Sequence, residues 1–380
     1  MTRYAFPLVS CALLTPLGAQ AHPDTAHFAQ SVFVDPPKIV DCTLEDGSAA
    51  QCYDMTVPHV PQDLEIGPFC PETTSDAGGL WYWTGDQAGL YRIDGAFLSF
   101  LEAQGYRFFN NDGTVNSVTT LASRPEADHT CIHVSPDPDV TMRVLLPVTP
   151  RMAETPTDFG TVAQVGIALD GAPIFADAPQ IQQTGHMPAL DLCGGHVDPG
   201  GWYHWHATAT DVQAAIDAQG VEATCTLAQD PSAQFGYAFD GYALFGRLEP
   251  DGSTPTDLDS CNGHLGLVEG SDAPVYHYHA TDSFPNLPNC LMGLTAQGNF
   301  STTASLGLGS AGSAGGPGGQ ETRPNGMPPG FEDAARALGV SVEDLAKAMQ
   351  EAGGRNADLA QVAAALGVSV QALRAALPRP

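Results

Sequence analysis

The feature that most constrains the fold of this chain is an internal duplication that runs through residues 167–281. Each copy contains, in the same order, an Asp-Gly turn between apolar runs, an Asp-x-Cys-x-Gly-His element, and an aromatic-His-aromatic-His-Ala-Thr segment. The three elements recur at spacings of 70, 68 and 73 residues. Because they recur in one order, we expect two half-units of similar structure that are related by an approximate two-fold axis.

The aromatic-His-aromatic-His segments are predicted to be β-strands, because aromatic residues favour strands. Residues i and i+2 of a strand point to the same face, so the two histidines of each segment share a face and the aromatic residues share the other. The histidine of the Asp-x-Cys-x-Gly-His element adds a third ring, on a loop where glycine permits close approach of the backbone. The candidate metal ligands are therefore His196, His204, His206, His264, His277 and His279.

Three imidazoles and a water molecule form an open metal site of the catalytic type, and sites built only from imidazole suit copper or zinc. The six histidines are compatible with two mononuclear centres or with one dinuclear centre near the two-fold axis. Copper close to tyrosines would permit redox chemistry, and zinc would activate water for hydrolysis. The alternative is a non-catalytic, disulfide-stabilised envelope or interaction module, in which the imidazoles form hydrogen bonds with carboxylates and tyrosines.

Acidic and tyrosine side chains recur beside the histidines and are candidates for orienting them. A carboxylate that accepts a hydrogen bond from the second nitrogen of a ligating imidazole fixes its tautomer. The candidates for this supporting role are Asp191, Asp259, Tyr203, Tyr276 and Tyr278. Asp170 and Asp240 are interpreted first as turn residues of the Asp-Gly bends.

The tetrapeptide Tyr276-His277-Tyr278-His279, together with the Asp-x-Cys-x-Gly-His and Asp-Gly elements, resembles the YHYH-domain proteins, a family of exported proteins named for that tetrapeptide. The resemblance covers roughly residues 140–295. The first copy departs from the motif, because Trp205 stands where the second tyrosine is expected. That exchange lies on the strand face away from the histidines. The resemblance implies export and a histidine motif, and it implies no particular reaction.

The N-terminal segment is typical of a secretory signal peptide, with one positive charge, a short apolar run and an Ala-Gln-Ala cleavage site that ends at Ala21. Cleavage there would place the protein in the periplasm or outside the cell, where disulfides form. Cys42 and Cys52 flank a turn sequence, the duplication suggests one bridge for each copy, and two cysteines remain. The expected disulfides are Cys42–Cys52, Cys70–Cys131, Cys193–Cys225 and Cys261–Cys290.

We predict a mainly β fold: a duplicated antiparallel sandwich or barrel-like core with few short helices, followed by a small C-terminal helical repeat bundle. A helix is predicted from Asp94 as N-cap to Gly105, and a strand over Val140–Leu146. The predicted units are a signal peptide at 1–21, a β-rich unit at 22–150, the histidine-containing domain at 151–300, a Gly/Ser/Pro-rich linker at 301–330 and the helical repeat at 331–380.

The net charge of −29, from 43 acidic and 14 basic residues, argues against a nucleic-acid partner, because such a field repels phosphate. No second apolar run reaches the roughly 18 residues of a membrane span. The helical repeat contains two similar segments, Leu338–Leu345 and Leu366–Leu373, whose expected role is docking of a protein partner, self-association or simple stabilisation. The sequence contains none of the common hydrolase, nucleotide-binding or calcium-binding motifs, so it names no substrate.

Overall fold

Strands dominate the computed structural model of this chain. The structure describes residues 23–61, 64–119, 127–158, 164–176, 180–227, 229–268, 271, 273–282, 286–305, 307–308, 334–335, 338–351, 359–370 and 372–373. The strands in chain order are β1 (Asp35–Thr43), β2 (Ala49–Pro58), β3 (Leu80–Trp83), β4 (Gly89–Arg92), β5 (Ser117–Val118), β6 (Thr130–Ile132), β7 (Thr141–Pro147), β8 (Met152–Asp158), β9 (Gln164–Ala168), β10 (Pro173–Phe175), β11 (His186–Pro188), β12 (Gly195–Val197), β13 (Tyr203–Trp205), β14 (Gln234–Ala238), β15 (Ala243–Phe245), β16 (Gly263–Gly266), β17 (Val275–His279), β18 (Cys290–Gly293) and β19 (Phe300–Thr302). The helices are α1 (Gly95–Ala103), α2 (Ile181–Thr184), α3 (Ala209–Gln219), α4 (Val342–Glu351) and α5 (Leu359–Leu366), with two 3-10 turns at Thr25–His27 and Gln30–Val32.

Both copies of the duplication lie in one eight-stranded sheet. Its strand order is β12-β13-β10-β9-β14-β15-β17-β16, so the second half repeats the first half in reverse order. The two halves meet where β9 pairs antiparallel with β14, at Ile167 and Tyr237. The segments that contain the histidine pairs form β13 and β17, which confirms the prediction of strands there.

The sheet is mixed and open. Within each copy one strand pair is parallel, β10 with β13 and β15 with β17, whereas the sequence analysis predicted an antiparallel core. The reason is the path of the chain. After β10 it leaves the sheet and returns as the hairpin β12–β13, whose second strand runs parallel to β10. After β15 it returns in the same way as β16–β17, and β17 runs parallel to β15. β12 and β16 are the two edges, so the described strands form no closed barrel.

Four smaller sheets surround the eight-stranded sheet. Their strand orders are β1-β2-β7-β19, β11-β6-β5, β18-β8 and β3-β4. The predicted strand over 140–146 corresponds to β7, and β7 pairs with β19 through Met142 and Thr302. Residues 301 and 302, which we assigned to the linker, are therefore part of a strand, and residues 309–333 lie outside the described residues.

The largest buried cluster takes residues from both sides of position 150. Met55 and Val144 of the four-stranded sheet pack in one cluster with Ile167, Ile174 and Tyr237 of the eight-stranded sheet. A second cluster lies around α1 and contains Trp81, Trp83, Phe97, Leu98 and Leu101. The histidine-bearing strands are therefore held by a continuous apolar core.

Local sequence rules account for α1. The Asp94 side chain accepts a hydrogen bond from the Phe97 backbone N–H at 2.9 Å, and Gly105 adopts the left-handed conformation just after the helix. The helix begins and ends as the sequence predicted. The C-terminal helices α4 and α5 share a small buried cluster that includes Leu345, Ala348 and Val362.

Four disulfides are present, and all four pair the cysteines that the sequence analysis expected to pair. They are Cys42–Cys52, Cys70–Cys131, Cys193–Cys225 and Cys261–Cys290. The last two each join the Asp-x-Cys-x-Gly-His element of one copy to a later segment of the same copy. Each histidine-bearing loop is thus fixed covalently.

We expect replacement of Cys193 and Cys225 by serine to lower the free energy of unfolding by about 3–4 kcal/mol, because that disulfide closes a long loop of the unfolded chain. The matched control is Cys42→Ser/Cys52→Ser, whose cysteines are 10 residues apart against 32. Its loss should be about 1 kcal/mol smaller. Denaturant unfolding of both variants measures the difference, and a larger loss for the control pair would contradict the prediction.

Candidate metal centres

The three histidines of the first copy form a buried cluster, which we call centre 1. His196 on β12 pairs directly across the ladder with His204 on β13, and His206 follows two residues later on the same face. The His196 and His204 Nε2 atoms are 3.0 Å apart, and so are those of His204 and His206. All three side chains are at most 8% exposed. The predicted convergence of the three rings is present in the structure, but His196 lies on strand β12 and not on the predicted loop.

The three histidines of the second copy form a matching cluster, and here a carboxylate joins them. His264 on β16 is the ladder partner of His277 on β17, with their Nε2 atoms 3.2 Å apart. His277 and His279 approach to 3.0 Å. Glu249 Oε1 lies 3.1 Å from the His264 Nε2 atom, and its other oxygen lies 3.9 Å from that of His279. We call these four residues centre 2.

The separations are those of ligands around a small cation. Nitrogen ligands at about 2.0–2.1 Å from a tetrahedral ion lie about 3.3 Å from one another. In both centres one ligand atom from each residue lies within 4.8 Å of all the others. Within the part of the chain that the structure describes, these are the two groups of histidine and acidic side chains that could hold a metal ion.

The second nitrogen of two imidazoles in centre 2 is engaged by the backbone. His277 Nδ1 lies 3.0 Å from the Val275 carbonyl oxygen, and His279 Nδ1 lies 2.7 Å from that of Gly246. A carbonyl oxygen can only accept, so both Nδ1 atoms donate and carry the proton of the neutral ring. Both Nε2 atoms are then unprotonated lone pairs that face each other. Such a pair repels unless a cation lies between the two nitrogens.

Asp191 and Asp259 position the histidine-bearing loops. Asp191 Oδ1 accepts the backbone N–H groups of Cys193 and Gly195, and its Oδ2 accepts the Tyr203 hydroxyl at 2.8 Å. Asp259 makes the same three contacts in the second copy, with the Tyr276 hydroxyl at 2.6 Å. Both acids and both tyrosines therefore act on the loop and the strand that present the histidines, and none of these hydrogen bonds reaches an imidazole.

Asp170 and Asp240 combine a turn with an aromatic contact. Each caps its Asp-Gly turn through Oδ1, as expected, and each also accepts a hydrogen bond through Oδ2 from the second aromatic residue of its motif. In the first copy the donor is the Trp205 indole nitrogen at 3.2 Å, and in the second it is the Tyr278 hydroxyl at 2.5 Å. The Trp205 exchange therefore preserves the donor, which explains why the first copy tolerates it.

The glycine before each loop histidine has a specific steric cause. A Cβ atom on Gly195 would clash with the Tyr203 hydroxyl, and one on Gly263 would clash with that of Tyr276. The sequence analysis attributed these glycines to close approach of the backbone to the site. The structure shows instead that they make room for the tyrosine that reaches the aspartate.

Burial sets the protonation of the site. It lowers the pKa of His196, His277 and His279 to about 4, and it holds the pKa of His204 and His206 well below the ordinary value. Burial also raises the pKa of Asp191 and Asp240 to about 6, against the opposing effect of their hydrogen bonds. These five imidazoles are therefore neutral at pH 7, as metal ligation requires.

Three further residues of the site were missed by sequence reasoning. Glu249 was missed because it lies outside the repeated elements. Asp257, whose Oδ1 lies 2.7 Å from His264 Nδ1, was missed because Asp259 two residues later is the repeated acid. His59 stands alone in the sequence, yet its Nδ1 accepts the Tyr203 backbone N–H at 2.8 Å and its Nε2 donates to the Asp137 carbonyl oxygen. Only tertiary contacts reveal these residues, since none of them belongs to a local motif.

A family model described as YHYH protein matches residues 143–256. The chain contains a YHYH domain. The match includes the whole of centre 1 and ends before His264, so three of the four ligands of centre 2 lie beyond the matched region of the YHYH domain. No curated protein and no solved structure matches the chain. In the part of the chain that the structure describes, no helix has the length and apolar character needed to cross a membrane.

We expect His277 and His279 of the metal-free protein to titrate near pH 4, because burial disfavours their charged form. Their pKa in the unfolded chain is about 6.5. The unfolded chain therefore takes up protons first, and the stability these rings contribute at neutral pH is lost as the pH falls from about 6.5 towards 4. Histidine ring resonances followed by NMR measure the midpoints. Midpoints near 6.5 in the folded protein would contradict the prediction.

Proposed function

We propose that this chain is an exported protein that binds a transition metal, copper or zinc, at two mononuclear centres. The observation that carries the proposal is the pair of facing Nε2 atoms of His277 and His279, whose protons are held on Nδ1 by backbone carbonyls. A cation between the two nitrogens removes their repulsion. The lowered pKa values oppose the other remedy, which is an extra proton.

Sheet geometry favours two mononuclear centres over one dinuclear centre. Four strands, β10, β9, β14 and β15, separate β13 from β17. Neighbouring strands are about 4.8 Å apart, so the two histidine pairs are separated by roughly 24 Å along the sheet. That distance is far greater than the about 3.5–4 Å of a dinuclear centre.

The three-histidine ligand set of centre 1 is typical of a catalytic metal site rather than of a purely structural one. A bound divalent ion would supply Lewis-acid chemistry, or one-electron chemistry if it is copper. Phe175 packs against the ring of His204 with centroids 4.7 Å apart, and Trp202 packs against the same ring at 4.8 Å. These rings exclude water from one side of the imidazoles and hold them in place. Whether a hydrolytic or a redox reaction follows depends on the metal.

Four disulfides support export, since they persist in oxidising compartments such as the periplasm or the cell exterior. The predicted signal peptide, residues 1–21, lies outside the described residues. We further propose that the two sheet halves form the duplicated core of residues 151–300, that 22–150 is a β-rich unit packed with it, and that 331–380 is a helical repeat bundle. That bundle would dock a protein partner or a second copy.

The competing proposal is a non-catalytic envelope module with structural histidines. It is favoured by the extensive hydrogen bonding of the motif, because the aspartate–aromatic pairs alone stabilise both sheet halves. The two proposals differ in one observable, the metal content of the purified protein.

We expect the mature protein, isolated without an affinity tag, to contain about two metal ions per chain by elemental analysis, with EPR distinguishing copper from zinc. His277→Ala/His279→Ala should lower the content to about one ion, because centre 2 loses two ligands. The control His27→Ala/His129→Ala removes two histidines outside both centres and should retain two ions. If the wild-type protein contains no metal at pH 7.5, or if His277→Ala/His279→Ala leaves the metal content unchanged, the histidines are structural and the envelope-module proposal holds.

A further inference from the structure

We propose that the two centres are chemically inequivalent: centre 2 is a closed site with four protein ligands, whereas centre 1 keeps a coordination position for an exogenous anionic ligand. The inference rests on the proposed metal binding and deepens it, since it assigns the reactive position to one half of the eight-stranded sheet. It concerns Glu249, to which the duplication gives no counterpart among the described residues.

Glu249 has the position of a fourth ligand. Its two carboxylate oxygens approach the Nε2 atoms of His264 at 3.1 Å and His279 at 3.9 Å, the separations of neighbouring ligands around one ion. Its side chain is 18% exposed, against 70% for Asp257, so it is largely removed from water. A largely buried carboxylate needs a compensating positive charge. A cation bound by all four residues provides it.

Among the described residues, the first copy has no ligand at the equivalent position. At the three spacings of the duplication, 70, 68 and 73, the residues that correspond to Glu249 are Pro179, Ile181 and Ala176, none of which can coordinate a metal. Among the described residues, centre 1 consists of its three histidines alone. The acid closest to it in sequence, Asp198, accepts a hydrogen bond from the Gly200 N–H at 2.7 Å and is outside the cluster.

The second carboxylate of centre 2 is also unique to that copy. Asp257 contacts His264 Nδ1, whereas the residue 68 positions earlier is Ala189. A divalent ion in centre 2 would therefore have two negative charges beside it, and an ion in centre 1 would have none among its ligands. Burial of an uncompensated double charge is costly, so centre 1 is expected to recruit an anion from solution.

The surroundings of the two centres agree with this difference. Gly266 lies against centre 2 so closely that a Cβ atom there would be 2.9 Å from His277 Cε1 and 3.1 Å from His264 Nε2. A side chain at this position would therefore crowd two of the histidines. Beside centre 1, the Trp202 indole N–H is fully buried and has no hydrogen-bond partner among the described residues. The corresponding residue of the second copy is Val275, which offers no donor.

The test uses the full chain loaded with cobalt(II), whose visible spectrum reports the coordination of each centre. Azide is the probe anion. We expect wild-type protein with two cobalt ions to show a saturable azide response from one of them. Glu249→Ala should raise the response to two ions, because it opens centre 2, and should speed removal of one ion by a chelator about tenfold or more.

Asp257→Asn is the matched control for charge. It removes a negative charge beside centre 2 without removing a ligand, so the azide response should remain that of one ion. Glu249→Gln, which preserves side-chain volume, keeps the test valid if the alanine variant unfolds, and it should also weaken metal retention. His277→Ala/His279→Ala leaves centre 1 and should retain the whole azide response.

The outcomes separate the two levels of the argument. Wild-type protein that takes up no cobalt, zinc or copper refutes the proposed function itself. Two bound ions that both respond to azide, or a response that Glu249→Ala leaves unchanged, overturn the inequivalence while metal binding stands. The inequivalence is also overturned if centre 1 responds to azide only after Asp198→Ala, because Asp198 would then be its fourth ligand.

Discussion

Each half of the eight-stranded sheet depends on one carboxylate, which is buried in the first copy and partly buried in the second. Asp191 and its counterpart Asp259 each accept two backbone N–H groups of the loop and one tyrosine hydroxyl of the adjacent strand. This arrangement fixes the loop against the strand, so that the loop histidine lies opposite a strand histidine in the ladder. This arrangement explains which residue types recur in the motif. The aspartate accepts the hydrogen bonds, the tyrosine donates one of them, the glycine makes room for the tyrosine, and the cysteine anchors the loop.

The symmetry of the sheet does not extend to the chemistry that it supports. Strand order, parallel pairing and the ladder partners of the histidines repeat between the halves. The difference in the ligand set lies in the connections, which the β-ladder does not constrain. Glu249 enters from the connection after β15, and no described residue of the equivalent stretch of the first copy is an acid. A duplicated scaffold can in this way position two sets of imidazoles identically and still hold two different metal environments.

Much of the fold and the site was predictable, because it rests on short-range geometry. The i, i+2 rule places His204 with His206 and His277 with His279, whatever the rest of the fold. Two of the four disulfides followed from the repeat, and α1 from its aspartate cap. The parallel strand pairs were not predictable, since strand direction depends on the path of a long connection. The β-rich region before residue 150 also shares one core with the sheet, as Met55 and Ile167 illustrate, and no local pattern indicates that contact.

The sequence by itself determined which six histidines converge, since the spacing of strand residues and the duplication are local and repeated properties. Only the tertiary structure decided what surrounds them. Glu249, Asp257 and His59 reach the site from connections, and the proton of His279 is placed by the Gly246 carbonyl, which folding brings near. The physical reason is range. Strand geometry relates residues that are two positions apart, whereas burial, charge and coordination depend on segments that are distant in sequence and close in space.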